Sequence, residues 1–218
     1  MAQTPLNGIQ LYGVAAFDSG LHQPLAEGTT LVQFRALAGV VSPAKYHRVT
    51  LDEAGVTHYT RVLEEVQANA AVLPAPPGTV FKSRDNLARW LELHYFTLTQ
   101  ALGSIEGHVQ ARLTIMKTPG VDASDATVAE LKESSKQLLA TATQSMRILR
   151  GQAAATVSLA VPDDDTHIVA HASFLVDLET WAAFADLVRT EDKRQTSLDF
   201  HLSGPLPPYD FVRMQFGG

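Results

Sequence analysis

A chain of 218 residues, 45% hydrophobic and 18% charged, is long enough to bury a core as one large or two small domains. Its net charge of −6, with no Lys/Arg cluster, argues against binding a nucleic-acid backbone. It contains no cysteine, which excludes disulfides, thiol nucleophiles and thiolate metal sites.

Met1-Ala2-Gln3-Thr4-Pro5 lacks the basic and apolar segments of a signal peptide. No apolar run anywhere approaches the roughly 20 residues of a membrane span. The expected location is therefore cytoplasmic, with no membrane partner and no cofactor. Ile9–Phe17 reads as a strand, and a loop through Gly20, Pro24 and Gly28 leads to a second, Leu31–Leu37. Gly39-Val40-Val41-Ser42-Pro43 reads as a third, ended by Pro43. Thr50-Leu51-Asp52-Glu53 has the form of a capping box. The helix it opens sets Tyr59, Val62, Leu63, Val66 and Ala70 on one face. Pro74-Ala75-Pro76-Pro77-Gly78 is a rigid loop. Ser83 then caps a helix whose apolar face is Leu87, Trp90, Leu91, His94, Leu98 and Leu102.

In the second half, Val109, Ala111, Leu113 and Ile115 alternate with polar residues, as in a half-buried strand. Asp122 or Ser124 caps a long helix with Val128, Leu131, Leu138, Ala142, Met146 and Leu149 on one stripe, interrupted by Ser135 and Ser145 and stopped by Gly151. Strands Ala153–Val161 and Ile168–Val176 follow, joined through Pro162-Asp163-Asp164-Asp165. A short helix over Glu179–Val188 buries Trp181, Phe184, Ala185 and Val188. A last strand carries Leu198, Phe200 and Leu202. The order β-α-β-β-α-β is that of a ferredoxin-like domain. The expected fold is thus α+β with two domains. A small N-terminal α/β domain spans 1–104, and a ferredoxin-like domain with a Pro-rich tail spans 105–218.

That tail is Gly204-Pro205-Leu206-Pro207-Pro208-Tyr209-Asp210-Phe211-Val212. Gly-Pro is expected to end the preceding strand, and the prolines to stiffen a corner that presents Leu206 and Tyr209. The segment resembles the Gly-Pro-Trp-Pro-Pro-Tyr-Ser-Phe-Val ending of the gas vesicle GvpL/GvpF proteins. Leu11-Tyr12-Gly13-Val14, Leu37 to Pro43, His58 with Val62-Leu63, Val72 to Phe81, and Leu102-Gly103-Ser104-Ile105-Glu106 are similar to family segments in the same order. Two departures stand out: Pro76-Pro77 replaces the usual Arg-Phe, and Leu206 replaces the tryptophan of the ending.

The resemblance implies an accessory or minor structural protein of the gas vesicle, and no enzyme. It implies binding to the hydrophobic shell subunit (GvpA-like), protection of that subunit from aggregation, help in nucleation, and contact with other accessory proteins. The expected contact residues are Leu206, Pro207, Pro208, Tyr209 and Phe211, with Pro76 and Pro77 of the 74–81 loop, and the helix after Asp122 is a further candidate. Packing within the protein is the other reading of these side chains.

Chemistry is weakly signalled. His58, Arg61 and Glu65 share a helix, but the bland reading is a histidine packed on its neighbours. His94 is expected to be a core histidine. The face of the second sheet expected to point away from the helices carries His108, Arg112, Ser158, His171, Asp199 and His201. An acid–base or metal role for His108, His171, His201 and Asp199 is the competing reading, in a small enzyme or metal-binding protein. Asp163-Asp164-Asp165 lacks EF-hand spacing. Nucleotide-binding glycine motifs and a hydrolase elbow are absent from the sequence.

Overall fold

The structure is a computed structural model that describes residues 7–17, 26, 28–46, 52–119, 128–161 and 167–212. The chain divides into two compact units. The first holds the described residues up to Glu106 together with those from Pro207 on, and the second is Gly107–Leu206. The C-terminal segment, expected to extend the second domain, thus packs with the first unit, where Tyr209 joins the apolar cluster.

The first unit is built on β1 (Gly8–Ala16). β2 (Thr30–Phe34), β3 (Leu37–Ala44), β4 (Val72–Pro74) and β5 (Val80–Phe81) complete an antiparallel sheet of order β2-β3-β1-β4, with β5 also paired to β1. The expected strand over Leu31–Leu37 is instead a hairpin that turns at Arg35-Ala36. Gly13 sits where β4 crosses closely: a Cβ there would lie 2.7 Å from the Leu73 carbonyl oxygen.

α1 (Glu53–Gln67) buries Tyr59, Val62, Leu63 and Val66, as its apolar spacing requires. Its N-cap is Asp52, which accepts from the Gly55 amide at 2.8 Å. The expected capping box begins two residues earlier, and its Thr50 is outside the described residues. The single helix expected after Ser83 is two, α2 (Arg84–Leu93) and α3 (Tyr95–Ile105), broken at His94. Leu87, Leu91, Leu98 and Leu102 are buried, but His94 is exposed, its ring tilted against Trp90 at 4.9 Å. It is not a core histidine, because the break turns position 94 to solvent.

The second unit runs β6 (His108–Lys117), α4 (Val128–Arg150), β7 (Ala155–Ser158), β8 (Ile168–Asp177), α5 (Trp181–Arg194), β9 (Leu198–Leu206). Its antiparallel sheet has the order β7-β8-β6-β9. Leu113, Ile115, Ala172, Phe174, Val176 and Leu198 meet Leu138, Ala142, Met146 and Leu149 of α4, and Phe184 and Val188 of α5. The side chains of Val128 and Leu131, the two candidate caps Asp122 and Ser124, and Asp163 to Asp165 lie outside the described residues.

β9 does not stop at Gly204-Pro205. It continues to Leu206, which pairs with Gln110 after a register shift. Proline is compatible with this strand because β9 is a sheet edge, where one side of the backbone needs no partner. Gly204 is required here. Its φ is +147°, and a Cβ would meet the Trp181 ring at 2.5 Å and the Gln110 carbonyl oxygen at 2.9 Å.

Candidate functional site

In the first unit a groove of about 290 Å³ is lined by Tyr59, Pro74, Ala75, Pro76, Pro77, Tyr209 and Val212. Its construction follows from local chemistry. Pro74 pairs with Gly13, and the next residue, Ala75, donates its amide to the Tyr12 carbonyl at 2.8 Å. The Tyr59 hydroxyl donates to the Ala75 carbonyl, so both polar backbone groups of this buried residue are satisfied. Pro76-Pro77-Gly78-Thr79 then forms a turn. The Thr79 amide donates to the Pro76 carbonyl at 3.1 Å, with Gly78 at φ +79°. Proline followed by a positive-φ glycine is the type II pattern. Thr79 returns the chain to β1 by accepting from the Leu11 amide at 2.8 Å.

The opposite wall comes from the C-terminal segment. The Tyr209 amide donates to Pro207 at 2.8 Å, and the Phe211 amide to Pro208 at 3.2 Å, which coils the chain tightly. Three tyrosines line up behind it. Tyr12 and Tyr59 stack at 6.1 Å, and Tyr59 and Tyr209 lie 6.4 Å apart at 32°. Tyr12 hydrogen-bonds Ser42 at 3.0 Å. Burial, and then repulsion from Tyr209, raise the Tyr59 pKa above the ordinary tyrosine range.

The expected contact residues therefore fall in different places. Pro76 and Pro77 are exposed at the rim of the groove and Tyr209 forms its wall. Pro207 and Pro208 are buried beneath, Phe211 is half-buried, and Leu206 belongs to β9 of the second unit. Pro74 and Ala75, in the candidate 74–81 loop, also line the groove, and Tyr59 and Val212 line it without having been expected there. Tyr59 showed itself in the sequence only as one residue of an apolar stripe.

The histidines do not converge. Across the second sheet His108 pairs with Asp177, while Thr114 lies between His171 and His201, three pleats along the same strand. Asp199 accepts from the Thr118 hydroxyl at 3.0 Å. Ser158 pairs with Ala172 and so shares the face that meets the helices, opposite to the expectation. Among the described residues no group of three or more His, Asp or Glu side chains is placed to hold a metal ion. On α1, Glu65 pairs with Arg61 at 3.8 Å, and His58 sets its ring against the edge of Tyr12 at 5.7 Å. Among the described residues, a shallow depression of about 470 Å³ beside His58 is lined by residues of α1. No described helix is long and apolar enough to cross a membrane.

Comparison with known proteins points to one family. The family described as "Gas vesicle synthesis protein GvpL/GvpF" matches residues 8–159 and 129–213. Gas vesicle protein F2 of Halobacterium salinarum is 26% identical over 192 residues, covering 85% of this chain and 81% of its own. Gas vesicle protein F1 of the same organism is 26% identical over 198 residues, covering 88% and 84%. The crystal structure of the gas vesicle protein GvpF from Anabaena shares the fold with a TM-score of 0.77 at 17% identity, over 97% of this chain and 98% of that one. The GvpF structure from Microcystis aeruginosa gives 0.73 at 16% identity, over 95% and 100%.

Proposed function

The chain belongs to the gas vesicle synthesis protein GvpL/GvpF family, and from that premise we propose that it binds the gas vesicle shell subunit, holds it soluble and assists nucleation and assembly of the vesicle. It acts as an assembly protein without catalytic chemistry, in the cytoplasm and on the vesicle, alongside other accessory proteins. We read the second unit as its ferredoxin-like domain.

The observation that carries this reading is the groove between the Pro76-Pro77 turn and Tyr209. A shell subunit with apolar surface must be covered before it polymerises, and a groove of proline and tyrosine suits that task. Prolines are already stiff, so little entropy is lost on binding. Tyrosine offers a broad apolar ring with few rotamers to freeze. The turn is also where this chain departs from the family's Arg-Phe, which makes it a place where partner preference is set.

Co-expression of the shell subunit with this protein tests the reading, with soluble shell protein as the readout. Pro76→Asp and Pro77→Asp alter the exposed rim and leave the core intact. Soluble shell protein that rises with the unaltered chain and drops with these variants supports the proposal. Equal recovery with and without the unaltered chain would sink it.

A further inference from the structure

Among the described residues, the most exposed large apolar side chains lie away from the groove, at the break between α2 and α3. Phe96 is 86% exposed and Leu93 is 81% exposed, on either side of His94. They are not isolated. The Phe96 ring lies 5.9 Å from Tyr95, and Tyr95 lies 6.0 Å from Phe34 at the end of β2. The Arg35 guanidinium sits over both Phe34 and Tyr95, at 5.4 and 5.3 Å from their centroids. Among the described residues no carboxylate pairs with Arg35.

The position of Arg35 is conformationally unfavourable. It is the first residue of the two-residue turn between Phe34 and Leu37, with φ +52°. Glycine is the residue that adopts this conformation freely, and the first position of a two-residue hairpin commonly carries it. An arginine there holds a cation at the hairpin tip against the preference of the backbone. Such an exposed outlier points to a role outside folding.

We propose that Arg35, Tyr95, Phe96 and Leu93 form a second docking surface, for a segment of the shell subunit that presents an apolar face flanked by a carboxylate. Charge complementarity selects this occupant: a cation that no described carboxylate pairs, seated on aromatic rings beside exposed Phe96 and Leu93, is completed by an acid next to apolar side chains. Arginine and aromatic residues are also the types that dominate interface energetics. The proposal rests on the reading that the protein binds the shell subunit.

A photo-crosslinking benzoylphenylalanine at position 96, in the full chain co-expressed with the shell subunit, tests it. The expected adduct joins the two proteins through a shell peptide containing Asp or Glu. Arg35→Gly, which relieves the backbone, is expected to keep or raise the thermal midpoint while lowering the adduct roughly fivefold or more. Arg35→Lys, which keeps the charge, is expected to retain more of it.

Soluble shell protein recovered without any adduct at position 96 overturns this surface and leaves the general reading standing. So does an adduct that Arg35→Gly does not diminish, or one that joins two copies of this chain. If the unaltered chain recovers no shell protein, the general reading and this surface fall together.

Discussion

Tyr209 lies with its ring 6.4 Å from that of Tyr59, and this contact holds the C-terminal segment against α1 in the first unit. The segment that carries the family ending therefore contributes both to packing and to the wall of the groove. Tyr209→Ala is expected to lower stability by about 1–3 kcal/mol through lost ring packing. Urea unfolding followed by tyrosine and tryptophan fluorescence measures this, and an unchanged midpoint would contradict the contact.

The Tyr59 hydroxyl is satisfied by the buried Ala75 carbonyl. Tyr59→Phe removes the donor and leaves that oxygen without it, at an expected cost of about 1–2 kcal/mol. Burial first, and then Tyr209, hold the folded-state pKa of Tyr59 above its ordinary 10.0. From about pH 10 upward the unfolded chain releases this proton while the folded chain keeps it. The stabilisation is whole below pH 10 and declines as pH rises towards the folded-state value. Urea midpoints between pH 9 and 11 are expected to fall less steeply for Tyr59→Phe than for the unaltered chain. Parallel slopes would show that Tyr59 titrates normally.

Gly204 faces Trp181 in the second unit, and any Cβ would overlap the ring and the Gln110 carbonyl oxygen. Its positive φ adds backbone strain for an L side chain. Gly204→Ala is expected to destabilise the protein by about 2–4 kcal/mol, as overpacking with strain does. A thermal midpoint within error of the unaltered chain would contradict the geometry.

Ser145 on α4 is fully buried, and its hydroxyl has no hydrogen-bond partner among the described residues. Ser145→Ala removes an unsatisfied polar group and favours the helix, with an expected gain of about 0.5–1.5 kcal/mol. A loss of stability would mean that a buried water or another donor serves this hydroxyl.

Much of the second unit is legible because its periods are clean. Val109, Ala111, Leu113 and Ile115 alternate, and Leu138, Ala142, Met146 and Leu149 repeat at helical spacing. The features that escape are those in which local signals mislead. β4 and β5 are three and two residues long, too short for any period, and are held by pairing to β1. Arg35 is no turn former, so the hairpin there reads as continuous strand. Leu91 and Leu98 are spaced as on one helix, which hides the break at His94. Gly204-Pro205 reads as a stop, yet an edge strand tolerates both residues.

For the candidate site, Pro76, Pro77 and Tyr209 were accessible as departures from or matches to a family pattern. That they meet around one groove was not, because proximity between distant segments is a product of the fold. The same holds for the surface at Arg35. Cation and rings come from β2, its turn and α3, and the sequence carries no sign that they stack.

Hydrogen exchange of the purified protein, with and without the soluble shell subunit, tests the central claim most directly. Amides of Ala75, Gly78, Thr79 and residues 209–212 are expected to gain protection in the complex, the prolines between them having no amide hydrogen. Binding of the shell subunit with exchange at both segments unchanged would contradict the placement of the contact at this groove.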